Sequence, residues 1–248
     1  MNDPLLRPRS AVEIIDAAFA LYRANFGVLA TLALVLLGPF EVIGVLVGGD
    51  VGSLISNLSG LLGPIVVGAT VAVVSDAMHD RPISIASAFA QIAGRWGTLV
   101  LVSFAQGVLV IIGLIVLVVP GLIALVWTFA APMVVVVERV DQASAALGRA
   151  RHLARGQFWH ILRTLALAWV VVFVLLVAVA IGAGLIGQLF KLNEDMTGFL
   201  GAWVFILLMP IIGTASSILY FDLRIRTEAY DIERLAATVG DGGATHMP

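Results

Sequence analysis

Forty consecutive residues, Thr98 to Val137, contain no Asp, Glu, Lys or Arg. This run constrains the chain more than any other feature, because about 20 apolar residues in a helix suffice to cross a hydrocarbon core. Val51 to Ser75, Thr164 to Phe190 and Met196 to Phe221 are likewise free of charge. A typical soluble domain has about 25% charged residues. Here 12% are charged and 60% hydrophobic, and the mean hydropathy is +1.07. No water-soluble core of this size could hide so much apolar surface. Inside lipid every backbone polar group has to be satisfied within the structure, and these runs are too long and too evenly apolar for the alternating strands of a β-barrel. The expected class is all-α, a polytopic membrane helical bundle.

Length and punctuation place six transmembrane helices near residues 28–47, 54–74, 99–119, 122–137, 164–185 and 199–221, arranged as three hairpins. The forty-residue run must cross twice, and Pro120-Gly121 is the dipeptide expected to turn it. Cationic residues test this layout, since cytoplasmic loops collect Lys and Arg. Arg7, Arg9 and Arg23, then Arg81 and Arg95, then Arg139, Arg149, Arg151, Arg155 and Arg163, and lastly Arg224, Arg226 and Arg234 all fall on one side. Of the 14 Lys and Arg residues only Lys191 falls in the opposite loops, 48–53, 120–121 and 191–195. Both termini are therefore expected in the cytoplasm, with residues 1–235 forming one transmembrane domain and 236–248 a flexible cytoplasmic tail. The first ten residues lack the apolar region and cleavage site of a removable signal peptide. The dominance of Arg over Lys, with much Ala, Val and Gly, fits a GC-rich bacterium, and hence its inner membrane.

Each hairpin is preceded by a cytoplasmic stretch with helical amphipathicity. Ser10 and Glu13 have capping-box spacing, and Ile15, Phe19, Tyr22 and Phe26 share one face. Ile85, Phe89, Ile92 and Trp96 repeat the pattern. Both stretches open on Arg-Pro-x-Ser (Arg7 to Ser10, Arg81 to Ser84) and close on an aromatic-Gly-x-Leu step, Phe26 to Leu29 and Trp96 to Leu99. Agreement at a common offset points to duplication. The third stretch, Asp141 to Arg163, keeps Leu147, Ala154 and Phe158 but has Arg151 where an apolar residue is expected. Three such units could pack around a pseudo-threefold axis or side by side.

Few residues suggest chemistry. Glu41 lies inside the first span, where an ionisable group normally faces the bundle interior or a water-filled cavity, unless it reaches the outer headgroups. Pro39 and Pro64 lie at matching heights in the first hairpin, and interrupted helices at matching places mark transporter sites; with Pro132 and Pro210 they could also be ordinary membrane-helix prolines. Asn57, Gln106, Thr128, Ser216 and Ser217 are polar groups of the kind that tie helices together. Arg149, Arg151, His152 and Arg155 form a basic cytoplasmic surface suited to anionic headgroups, a protein partner or a phosphate, or merely to the positive-inside rule. There is no cysteine, no metal spacing among the four histidines, no nucleophile motif and no nucleotide loop. No catalytic residue, metal, cofactor or nucleic-acid partner is expected, and the oligomeric state stays open.

The last span ends in Tyr220-x-Asp222-x-Arg224-x-Arg226-x-Glu228, followed by Tyr230-Asp231. Together with Pro120-Gly121, Glu138, Ala146-Leu147, Arg155-Gly156 and Phe158-Trp159, this resembles the membrane domain of prokaryotic glycerophosphodiester phosphodiesterases, over nearly the whole chain. In those enzymes a separate soluble barrel carries the hydrolysis. The polar segment after residue 221 is far short of the ~250 residues such a barrel takes, so the resemblance implies a fold and a membrane role but no phosphodiesterase activity. Two functions follow as expectations. One is a non-enzymatic module that anchors, scaffolds or assembles a partner at the cytoplasmic face. The other is a carrier of a small molecule or lipid with its site near Glu41. A sealed apolar bundle centre would favour the first, and a polar cavity reaching Glu41 the second.

Overall fold

The computed structural model describes the backbone of residues 9–191 and 194–242, and the side chains of 9–191 and 196–228. Among the described residues there are helices and turns but no strand. Six helical segments are long and apolar enough to cross a membrane, and three short helices, α1 (Ala11–Ala24), α5 (Ile85–Ile92) and α9 (Ala143–Ala154), each precede a pair of them. The first pair is α2 (Phe26–Val47) against α3 (Gly49–Leu58) and α4 (Gly63–Met78), the latter two joined by a 3-10 turn. The second is α6 (Trp96–Val116) against α7 (Val118–Thr128) and α8 (Ala131–Val137), and the third α10 (Phe158–Phe190) against α11 (Glu194–Gly242).

The capping chemistry expected at Ser10 is present. Its Oγ accepts the Glu13 N–H at 3.3 Å, and Glu13 Oε2 accepts the Ser10 N–H at 2.8 Å. Ser84 and Ser87 make the equivalent reciprocal pair at 3.0 and 3.2 Å. Arg7 and Pro8 of the first motif lie outside the described residues. The third unit has no side-chain cap, yet it too is a short helix followed by a span that opens on an aromatic, Phe158, as the others open on Phe26 and Trp96. Ile15, Tyr22 and Ile92 are buried and Phe19, Ile85 and Phe89 half-buried, so these stripes face the bundle; Phe26 and Trp96, each 45% exposed, point out of it. Outward aromatics at the start of a span suit the membrane interface.

Three expectations need correction. Pro120-Gly121 is not the hairpin turn. The extended residue is Leu117 (φ −168°, ψ 156°), and Pro120 sits in the first turn of α7, where a missing N–H costs nothing because that donor has no intrahelical partner. Gly121 is needed for close packing instead, since a Cβ there would come within 2.5 Å of the Leu114 side chain. The first hairpin turns at Gly48 and Gly49, both with positive φ (68° and 59°), a conformation glycine adopts without steric cost. The tail expected to begin at residue 236 is helical through Gly242 as the continuation of α11; residues 243–248 lie outside the described residues. The other spans also run longer than expected, since the short uncharged windows end before the helix hydrogen bonding does, whereas α6 has the expected length and lies three residues earlier.

The second member of each pair is central and the first peripheral. In the most apolar stretches of the segments Gly49–Met78, Val118–Val137 and Met196–Glu228, 61, 56 and 56% of residues are buried, against 39, 17 and 17% for α2, α6 and α10. The end of the bundle where α1, α5 and α9 pack is called basal here, and the end with the hairpin turns distal. α1 lies against α10 and α11, and the Tyr22 hydroxyl donates to the Leu207 carbonyl at 2.6 Å, one turn before Pro210.

Candidate functional site

The described ion pairs concentrate at the basal end, around the alternating motif of α11. Residues four apart on a helix share a face and residues two apart lie nearly opposite, so the motif splits into two ladders. Tyr220, Arg224 and Glu228 form one. The Tyr220 hydroxyl donates to Glu138 Oε1 at 2.9 Å, and Arg224 Nε donates to Glu228 Oε1 at 3.0 Å. Arg149 of α9 bridges the two carboxylates, with its Nε 3.0 Å from Glu138 Oε2 and its second guanidinium arm 2.7 Å from Glu228 Oε1. Burial lowers the Arg149 pKa, but hydrogen bonds and charge from Glu138 and then Glu228 more than reverse this, leaving it above its ordinary value.

Asp222 and Arg226 form the other ladder. Asp222, with its side chain 2% exposed, accepts the Arg9 backbone N–H at 2.7 Å, His160 Nε2 at 3.0 Å and Arg226 Nε at 2.7 Å. Arg226 also donates to the Arg9 carbonyl at 2.7 Å. The end of α11 is thereby held on one side by α8 and α9 and on the other by the entry to α1 and the start of α10. All five motif residues serve this clamp.

A fourth carboxylate, Asp76 at the end of α4, was not singled out by the sequence. It is 3% exposed and accepts from Ser87 Oγ at 3.2 Å and Gln91 Nε2 at 2.8 Å, both on α5. Asp76 to Ser87 and Glu138 to Arg149 are each eleven residues apart, and each carboxylate lies twenty positions before the aromatic that opens the next span. That common register was the signal available in the sequence.

The expected basic surface divides. Arg149 is turned inward to its two carboxylates, while Arg151, His152 and Arg155 are exposed. The Arg151 guanidinium lies over the Trp127 ring, 4.3 Å from its centroid, which accounts for a cation at a position where the other two units have an apolar residue: its charge packs on an aromatic face. Arg95 pairs with Asp141 at 2.9 Å.

Glu41, Pro39 and Pro64 are not brought into one site. Glu41 is half-buried in a distal cleft it shares with Ser53, Ser56, Asn57 and Phe199. Pro39 is exposed. Pro64 lines a separate, mainly apolar cavity between the three hairpins, together with Pro132. Both of these prolines lie in the first two positions of a helical segment, so they begin α4 and α8 and do not kink a continuous helix. In comparisons with known proteins, no family model, no curated protein and no solved structure matches the chain.

Proposed function

We propose that the chain is a non-enzymatic membrane module of a bacterial inner membrane that docks a partner on its basal face, which the one-sided distribution of arginine assigns to the cytoplasm. The observation that carries this reading is the segregation of basic side chains on α9. Arg149 is consumed by Glu138 and Glu228, whereas Arg151, His152 and Arg155 stand exposed and outside every ion pair among the described residues. Arg151 and His152 are displayed on the last turn of a helix that the clamp holds in place, and Arg155 caps its end. A rigid cationic patch can recognise an acidic segment of a partner with little ordering cost. The mainly apolar wall of the cavity between the hairpins favours this reading over a polar transport path, because the polar cleft that Glu41 shares with Asp50, Ser53, Ser56 and Asn57 has no lining residue in common with that cavity. The resemblance of the sequence motifs to the membrane domain of glycerophosphodiester phosphodiesterases implies the same kind of role.

The test is site-specific photo-crosslinking from Arg155 in native membranes, compared between the wild type and a variant with Arg151 and His152 both changed to Ala. A discrete cross-linked protein that disappears in the variant, at unchanged membrane levels, is expected. A pattern the variant leaves intact, or cross-links to lipid alone, would overturn the reading.

A further inference from the structure

Hydroxyl side chains in these spans mostly bond back to the carbonyl four residues earlier, as helical Ser and Thr can. Thr70, Thr128, Thr164, Thr214 and Ser217 all do so at 2.7 to 2.9 Å. Ser103, Gln106 and Ser216 do not. Among the described residues none of these three side chains has a hydrogen-bond partner, and all three line the same cavity, of about 330 Å³. Polar groups in an apolar setting gain from a hydrogen-bonding partner, and these three border one space that could supply it through an occupant with its own hydrogen-bonding group.

The cavity chemistry defines that occupant. The rest of the wall is apolar, contributed by residues such as Pro64, Phe129, Pro132, Met133 and Ile212, and no lining residue is charged. A phosphate drawn in here would lose its water without gaining a counter-charge. The volume falls at the lower end of the ~300–1,000 Å³ typical of small-molecule sites. One side is formed by Ser103 and Gln106 of α6 and by Leu165, Ala168 and Trp169 of α10, two helices that barely touch each other. Trp169, 54% exposed, stands at the rim, and the flanking surface is apolar, with Phe104, Val170 and Phe173 all more than half exposed. Because α6 and α10 are both long enough to span a membrane, a gap between them faces hydrocarbon.

We propose that this cavity binds an uncharged glycerolipid of the diacylglycerol type, which enters sideways between α6 and α10. Part of its acyl chain fills the apolar wall, and its hydroxyl or ester carbonyl meets Gln106, Ser103 and Ser216. An amide supplies two donors and an acceptor, and each serine a donor and acceptors, which matches a hydroxyl and an ester together. Binding of a neutral lipid here is independent of the docking role proposed for α9.

Purified protein in phosphatidylcholine nanodiscs, doped with diacylglycerol carrying a diazirine in its chain, tests the assignment by mass spectrometry of cross-linked peptides. Label is expected on inward residues such as Phe129, Met133 and Met209, and less of it from phosphatidylglycerol with the same chain. Gln106→Leu keeps the volume but removes the amide, and should lower diacylglycerol labelling at those residues about tenfold, one hydrogen bond in a low-dielectric site. Ala168→Phe should abolish it by filling the space, and Val170→Phe, on the outward face, should leave it unchanged. Label confined to Phe104, Val170 and Phe173, equal labelling by both lipids, or labelling insensitive to Gln106→Leu would each overturn the proposal. If Ala168→Phe does not fold, Ser216→Ala, which leaves the packing intact, takes its place, with reduced labelling expected and no change counting against the site.

Discussion

Asp222→Asn measures how firmly the clamp holds the basal helices. The Asp222 side chain is 2% exposed, whereas those of His160 and Arg226 are 18 and 22% exposed. Removing one member of a buried ion pair typically costs about 3–5 kcal/mol, and a hydrogen bond to a charged group contributes about 1.5–3 kcal/mol. The asparagine oxygen can still accept the Arg9 N–H, and both cationic partners can recover some water. The loss should therefore be about 2–3 kcal/mol for Asn, and about 3–5 kcal/mol for Asp222→Ala, which keeps no acceptor. Glu228→Gln is the internal control. Its carboxylate is 39% exposed and its partners 30 and 33%, so solvent screening should hold its effect below about 1 kcal/mol. The chain has no cysteine, so Ala18→Cys, at a position 1% exposed beneath α1, provides a single reporter of α1 opening. Thiol labelling of the detergent-solubilised protein should then accelerate roughly 30- to 150-fold in the Asp222→Asn background. Acceleration no greater than that caused by Glu228→Gln would refute the view that burial at Asp222 makes it the dominant fastening.

Compartment reporters fused after Asp141 and after Arg234 should report cytoplasm and one after Glu194 the outside; a cytoplasmic signal at Glu194 would overturn the orientation. Arg149→Ala, which strips Glu138 and Glu228 of a shared partner, should destabilise α9 by about 1–2 kcal/mol, read by thiol labelling of an Ala150→Cys reporter at a buried position of α9. Arg151→Ala, which loses only a cation–π contact, should cost about 0.5–1 kcal/mol, and the reverse order would count against the division of the basic cluster. Gly121→Val, whose Cβ would also come within 2.8 Å of the Leu114 backbone nitrogen, should lower stability by about 1–3 kcal/mol through overpacking, measured as a drop in the thermal midpoint in detergent.

The helix class, the number of spans and the three short preceding helices were legible because each rests on local chemistry. Charge-free length gives the spans, and caps and periodicity give α1 and α5. Turn positions were less legible. Pro120-Gly121 reads as a turn by residue type, but proline in a first helical turn and glycine at a close contact produce the same dipeptide, and only the packing of Gly121 against Leu114 separates them. Arg151 read as a departure from the repeat because Trp127, its partner, lies in another helix. The grouping of Glu41 with Pro39 and Pro64 rested on depth alone. Depth does not fix azimuth, and Pro39 faces outward while Glu41 and Pro64 line different spaces. The partnerless state of Ser103, Gln106 and Ser216 is invisible in sequence for the same reason, since it depends on which helices surround them.

The carboxylates that end the second spans explain why the repeats form a closed arrangement. Asp76 fastens the short helix that follows it, α5, and Glu138 fastens the one that follows it, α9, in the same eleven-residue register. Asp222 ends the third pair, where no fourth unit follows within the described residues, and it turns instead to the start of the first unit, at Arg9. The register changes at this junction. The first two carboxylates take side-chain donors from within a helix, whereas Asp222 takes a backbone N–H just before Ser10, the capping residue of α1, and recruits His160 and Arg226. A contact between chain segments more than two hundred residues apart lacks the short connection that fixes the other two, so it has a larger loop-closure cost to offset. The extra donors at Asp222 supply the interaction that local connectivity supplies elsewhere. On this account the most buried of the ion-paired carboxylates among the described residues, and the one that draws donors from three separate residues, stands at the one junction the sequence does not tether.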